Sequence, residues 1–207
     1  MARARDDAAD LVERCRRVPS ATWSDAFDLL GLEGILPGLR HRSGQLPLAG
    51  PVVTVDEEVG AFGSAGPEEF GIQRILVEAV AGQVILVRQR GELPASALGG
   101  LAALAARQHG VAGVVVDGAC RDVGELVEVG LPVLSRELTP ASGRGRVRIA
   151  SINVPLSYPT FTVDPGDMLV ADDTGVVVLP AARLDELLHH AEERVRYDAE
   201  QATTLRG

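Results

Sequence analysis

The chain has 207 residues, of which 46% are hydrophobic but only 3% aromatic, and it carries a net charge of −9. That is enough apolar material for a sizeable core of Val, Leu, Ile and Ala, the composition of a layered α/β protein with aliphatic buried strands. The acidic balance argues against nucleic acid as a partner, because phosphate binding needs clustered cationic side chains that release counterions.

All twenty basic residues are arginine and none is lysine. Schiff-base aldolase, pyridoxal-phosphate and P-loop chemistry each need a lysine amine and are excluded. An enzyme of keto acids built from this chain has to polarise the carbonyl with a metal ion or with arginine. Cys15 and Cys120 are far apart and match no metal-ligand spacing, so reduced thiols in a cytoplasmic protein are expected. The charged start, Met1 to Arg17, lacks the apolar stretch of a signal peptide, and no apolar run reaches membrane-spanning length. A soluble intracellular protein with no membrane partner follows.

In chain order, Ala8, Leu11, Val12 and Cys15 predict an amphipathic helix over about Asp6 to Arg17, ended by Pro19 and Ser20. Thr22 with Asp25 reads as a capping box that opens a second helix to about Leu30. An irregular glycine-rich stretch leads to a strand at Val52–Val55, a flexible loop at Gly60–Pro67 and a helix over about Glu69 to Ala79. Val84–Val87 reads as a buried strand, 91–100 as a loop, 101–107 as an alanine-rich helix closed by Gly110, and Val114–Val116 as a strand. This unit looks like a crossover in a parallel or mixed sheet.

Asp117-Gly118 reads as a turn, followed by a short helix near Val123–Val127 and a strand at Pro132–Leu134. Antiparallel structure is expected over Gly143–Val163, then a turn at Pro165-Gly166-Asp167 and strands at Met168–Val170 and Gly175–Leu179. Leu184, Leu187, Leu188, Ala191 and Val195 form one stripe of a final helix.

The chemistry concentrates just past the Val114–Val116 strand, where Arg121 and Asp122 stand side by side. Open α/β sheets bind ligands at such strand ends. An aspartate is a hard oxygen ligand for Mg²⁺ or Mn²⁺, and a neighbouring arginine can fork onto a carboxylate or enolate oxygen. The bland alternative is a solvated Arg–Asp pair on a turn. Ala97-Leu98-Gly99-Gly100 precedes a helix whose free amides could take an anion, although glycine before a helix is most often a turn or a cap.

These residues also carry a resemblance. Asp117-Gly118-x-x-Arg121-Asp122, Pro165-Gly166-Asp167 and Asp172-x-x-Gly175-Val-Val-Val-x-Pro180 follow in order, and the span from Thr22 to Pro180 resembles the RraA-like / 4-hydroxy-4-methyl-2-oxoglutarate aldolase family. The resemblance implies a β/β/α swivelling-type α/β domain with a mixed sheet and flanking helices, assembled as a homotrimer or hexamer with sites between subunits. Residues 1–20 would be a helical extension, 21–182 the domain, and 183–207 a C-terminal helix that packs on a neighbouring subunit.

It further implies a metal-dependent class II aldolase that cleaves a 4-hydroxy-2-oxo acid to pyruvate and decarboxylates oxaloacetate. Asp122 would bind the metal, Arg121 the keto or enolate oxygen, and the amides of Leu98, Gly99, Gly100 and Leu101 the pyruvate carboxylate. The alternative within the same family is a non-catalytic regulator of ribonuclease activity that acts by protein–protein binding. Many active aldolases of the family carry an acidic residue where this chain has Gly100, so another carboxylate has to substitute or the metal shell is thinner. The C-terminal helix of these aldolases sends a glutamate into a neighbouring site, with Glu192, Glu193 and Glu200 as candidates.

The remaining polar residues take plainer readings. Asp167 and Asp172 are expected to cap backbone amides in turns, and Asp117 to order the loop at the strand end. His41, His109, His189 and His190 form no ligand set, and Cys120 has no paired base and reads as packing. The run Asp56-Glu57-Glu58 is expected to be a solvated face.

Overall fold

The computed structural model describes residues 2–206, and side chains from Asp7 onward. Four strands run parallel in the order β3 (Leu48–Val59), β4 (Val84–Arg90), β6 (Gly113–Cys120) and β7 (Val133–Leu138). β2 (Arg40–Ser43) closes one edge, antiparallel to β7. On the other side the start of β3 pairs antiparallel with β11 (Met168–Ala171), which continues through β12 (Val176–Leu179) to β1 (Ile35–Leu36). β8 (Val147–Ile152) pairs with the second half of β3, β5 (Ser96–Leu98) with the end of β6, and β9 (Leu156–Ser157) with β10 (Thr162–Val163).

The strands are apolar on both faces because both faces are covered. Val53, Val55, Ile85, Val87, Val114 and Val116 point to one side, where α3 (Ile72–Leu76), α4 (Gly100–His109) and α5 (Val123–Val129) cover them with Ile75, Ala103, Ala106 and Leu126. The alternate residues Val52, Val84, Leu86, Val115 and Leu134 meet Leu169, Ala171, Val176 and Val178 of the second β layer. The outward residues of that layer, Met168, Val170, Val177 and Leu179, are covered by α1 (Ala2–Arg17), α2 (Ser20–Leu30) and α6 (Leu184–Arg206). The expected β/β/α stack is present, and the terminal helices add a fourth layer. Leu86, Leu134, Leu169 and Leu179 each lie within 1% of complete burial, worth about 1.5–3 kcal/mol apiece.

Several local expectations are corrected. Thr22 and Asp25 form no capping box: α2 starts at Ser20, and Asp172 instead accepts bonds from the Ser20 amide and hydroxyl, both 2.7 Å. Backbone pairing extends β3 by four residues at each end of the branched run that predicted it, and adds short strands β1, β2 and β5 where loops were expected. The helix expected over Glu69–Ala79 is the shorter Ile72–Leu76. Asp117-Gly118 is no turn but lies inside β6, with Asp117 buried and ion-paired to Arg136. The acidic run is not a solvated face either. Asp56 is held by Arg88 and Arg90, and Glu57 is 1% exposed.

Among the described residues no helix is long and apolar enough to cross a membrane. Asp167 and Asp172 cap turns: Asp167 accepts from the amides of Asp164 and Ala181, each 2.8 Å. Burial opposes ionisation of Asp172, but hydrogen bonds from Ser20, Thr174 and Gly175 outweigh it and hold its carboxyl below the ordinary range.

Candidate active site

β6 delivers Arg121 and Asp122 to the carboxyl end of the parallel strands, and β5 delivers Leu98, Gly99, Gly100 and Leu101 beside them. The Arg121 amide donates to the Leu98 carbonyl at 3.0 Å, which locks the two segments together. Asp122 adopts a left-handed backbone, φ 59° and ψ 43°, one of the few non-glycine residues that tolerates it. This bend turns its side chain back toward α4. Its Oδ2 accepts from the Gly100 amide at 3.3 Å and lies 3.4 Å from Arg121 Nε.

The side chains not yet engaged matter most for chemistry. Among the described residues, Asp122 Oδ1, the terminal guanidinium nitrogens of Arg121 and both carboxylate oxygens of Glu125 make no hydrogen bond or ion pair. The Leu101 amide opens α4 as one of the donors a helix start leaves without an intrahelical partner. Leu98 contributes backbone only, since its side chain is buried.

The two glycines make the cradle. A Cβ on Gly99 would lie 2.6 Å from Asp122 Oδ2 and 3.2 Å from Arg121 Nε. A Cβ on Gly100 would lie 2.6 Å from Glu125 Cβ and would overlap its carboxylate. Glu125, in the first turn of α5 and three residues after the Asp122 cap, is a neighbour of this site that the sequence reading did not single out. A cavity of about 700 Å³ between α4 and α5, lined by Gly100, Leu101 and Glu125 among others, opens beside this group.

The donor chemistry here is of the hard-oxygen kind that a divalent cation such as Mg²⁺ or Mn²⁺ takes. Asp122 and Glu125 offer free carboxylate oxygens over a cradle bare of side chains. No group of three or more His, Cys, Asp or Glu among the described residues forms a cage, and Mg²⁺ in particular prefers one or two carboxylates with waters or substrate completing its shell.

Other candidates lie elsewhere. Cys120 is buried and bonds Ser135 Oγ at 3.2 Å, and burial pushes its thiol up. Of the three C-terminal glutamates, Glu192 is taken by two 2.9 Å bonds from Arg14, which lower its carboxyl below the ordinary range. Glu193 faces His189 and His190 on its own helix.

A layered α/β protein with an Arg–Asp pair at a parallel strand end is the class defined so far. The family model described as Aldolase/RraA matches residues 20–178, and the chain belongs to that RraA-like family. It is 41% identical over 113 residues to the 4-hydroxy-4-methyl-2-oxoglutarate aldolase of Thermus thermophilus, covering 53% of this chain and 66% of that one. It is 30% identical to protein DlpA of Legionella pneumophila over 97% of its own length, and spans only 33% of DlpA. The chain thus covers less than two thirds of either of these two relatives. A solved structure of Streptomyces coelicolor RraAS2, described as an unusual member of the RNase ES inhibitor RraA family, superposes with TM-score 0.81 at 27% identity, covering 93% and 96% of the two chains.

Proposed function

We propose that this chain is a divalent-metal-dependent carbon–carbon lyase that cleaves a 4-hydroxy-2-oxo acid, of the 4-hydroxy-4-methyl-2-oxoglutarate or 4-carboxy-4-hydroxy-2-oxoadipate type, to pyruvate and decarboxylates oxaloacetate. The observation that carries this reading is the convergence of Arg121, Asp122 and Glu125 on the bare Gly99-Gly100 cradle. Asp122, with Glu125 as the second carboxylate, would hold Mg²⁺ or Mn²⁺, which when bound supplies the charge that makes the keto acid an electron sink.

Arg121 places its free guanidinium nitrogens where the keto oxygen gains negative charge as the carbon–carbon bond breaks. A fixed cation there favours the pyruvate enolate over the starting ketone. The substrate carboxylate docks on the Leu101 amide and its neighbours at the start of α4. Gly99 keeps that approach open, and the 3.3 Å bond from the Gly100 amide holds Asp122 in place. No amine takes part, in keeping with a chain that has no lysine.

The likeness to RraAS2 favours a second reading, a non-catalytic regulator that binds a ribonuclease. The test is pyruvate release from oxaloacetate with Mg²⁺ or Mn²⁺, measured above the metal-only rate. Stimulation that is lost in Asp122→Asn supports the lyase. No release from any keto acid, together with stoichiometric capture of a ribonuclease, supports the regulator. A cytoplasmic homotrimer or hexamer, with the exposed second half of α6 on a neighbouring subunit, completes the proposal.

A further inference from the structure

β6 changes partner just before the site. Its last rung with β4 is Arg88 opposite Asp117, and from Ala119 onward it pairs with β5 instead, while on its other edge the pairing with β7 shifts register between Val116 and Ala119. The side chain of Gln89, the next residue of β4, fills this break. Its Oε1 accepts from the Ala119 amide at 2.8 Å, and its Nε2 donates to the Ala95 carbonyl at 3.0 Å. The same nitrogen donates to Glu57 Oε2, also at 3.0 Å. Gly118 is the residue that makes room, because a Cβ there would overlap Gln89 Oε1.

We propose that Gln89, aligned by the buried carboxyl of Glu57, is a positioning residue that sets the spacing between the two arms of the site. One arm runs from Ala95 through β5 to Gly99-Gly100, and the other from Ala119 to Arg121-Asp122. Nothing in the backbone pairing of β4 reaches either arm, so one carboxamide does what a ladder rung does elsewhere. An amide has two N–H donors and a carbonyl acceptor, and both donors and the carbonyl are engaged here in a fixed orientation. Glu57 reinforces the orientation that the Ala119 amide and the Ala95 carbonyl require, because it accepts from the NH₂ end.

A carboxyl held in the interior for packing alone would be an expensive choice. Burial pushes Glu57 up to about 7, with the Gln89 bond opposing that shift and Asp56 adding to it. The arginines near by are engaged away from it, Arg88 and Arg90 with Asp56, and Arg148 with Glu58. Gln89 is thus the hydrogen-bonding partner of Glu57 among the described residues.

The role of the two arms rests on the lyase reading, whereas the clamp does not, and the experiment separates them. Hydrogen–deuterium exchange is followed on the full chain for segments 95–101 and 117–123, with 168–179 in the second β layer as control. Gln89→Leu, or Gln89→Asn if the leucine variant does not fold, should exchange at least ~10-fold faster in both site segments and unchanged in the control. Glu57→Gln retains a carbonyl acceptor and should keep the protection, whereas Glu57→Leu should lose it. Unchanged exchange in either site segment of both Gln89 variants overturns the clamp, as does equal acceleration of the control. Titration with Mn²⁺ and oxalate, a planar mimic of the pyruvate enolate, reads the function. Binding by the wild type that weakens ~10-fold in the Gln89 variant supports both. No binding by the wild type overturns the lyase reading and leaves the exchange result to decide the clamp.

Discussion

Glu125 and Gly100 are two halves of one packing solution: a Cβ on Gly100 would stand 2.6 Å from the Cβ of Glu125, with the Glu125 carboxylate filling the space beyond. The first turn of α4 therefore packs close against α5, and position 100 leaves no room for a side chain.

Adding a methyl group at Gly100 should then cost stability. Gly100→Ala is expected to lose about 1–3 kcal/mol, the usual price of overpacking, measured by chemical denaturation. Glu125→Ala should relieve little of this, because its Cβ remains. Glu125→Gly should relieve most of it, as a coupling of at least ~1 kcal/mol in the double-mutant cycle. Additive losses would mean that the two residues do not meet.

Removal of the second carboxylate should weaken the metal without harming the fold. Glu125→Gln is expected to reduce Mn²⁺ affinity by ~10–100-fold by calorimetry, the range seen when a supporting metal contact is lost. Asp122→Asn should abolish the binding, and the asparagine tolerates the left-handed backbone at φ 59°. Equal affinity in wild type and Asp122→Asn would remove the metal from this site.

Arg121→Lys tests geometry against charge. A lysine keeps the cation but not the planar fork. The expected result is a fall in kcat of at least ~10-fold for oxaloacetate decarboxylation, with the substrate KM changed much less. Full activity in the lysine variant would reduce Arg121 to a point charge.

Glu57 gives the fold a pH dependence. Its carboxyl is raised from 4.5 to about 7 in the folded chain, so the native state binds the proton more tightly than the unfolded one. The stability this contributes is complete below about pH 4.5 and is lost as pH rises through about 7, for a total of roughly 3 kcal/mol. Glu57→Gln cannot titrate. The difference in Tm between the variant and the wild type should therefore move in favour of the variant from about pH 5 to pH 8, by several degrees. A difference that stays constant across that window would show that Glu57 is not raised.

Neither thiol should react in the native protein. Cys15 is fully buried and pushed up to about 11 by that burial, and Cys120 is likewise buried and raised. The reactive species is the thiolate, so labelling by iodoacetamide at neutral pH should follow global unfolding. Rapid modification of either before unfolding would contradict the packing.

Much of this protein was settled along the chain itself. Hydrophobic runs such as Val84–Val87 and Val114–Val116 are apolar at every position because they are covered on both faces, and that density marked them as interior strands. Gly110, left-handed at φ 88°, ended α4 where its local chemistry required. The Arg121-Asp122 pair pointed to a candidate site and the missing lysines to chemistry without an amine, because both are properties of residue identity and spacing.

What only the tertiary structure decided depends on distance through space. Asp56 and Glu57 read as surface by charge, but strand pairing carried them inside, where Arg88, Arg90 and Gln89 satisfy them. Ser20 gained its cap from Asp172, far along the chain, and not from a residue in its own first turn. Glu125 met Gly100 only because α4 and α5 approach closely enough to exclude a side chain there. Hydrogen bonds and close contacts between distant segments have no periodicity to read, so folding alone could reveal them.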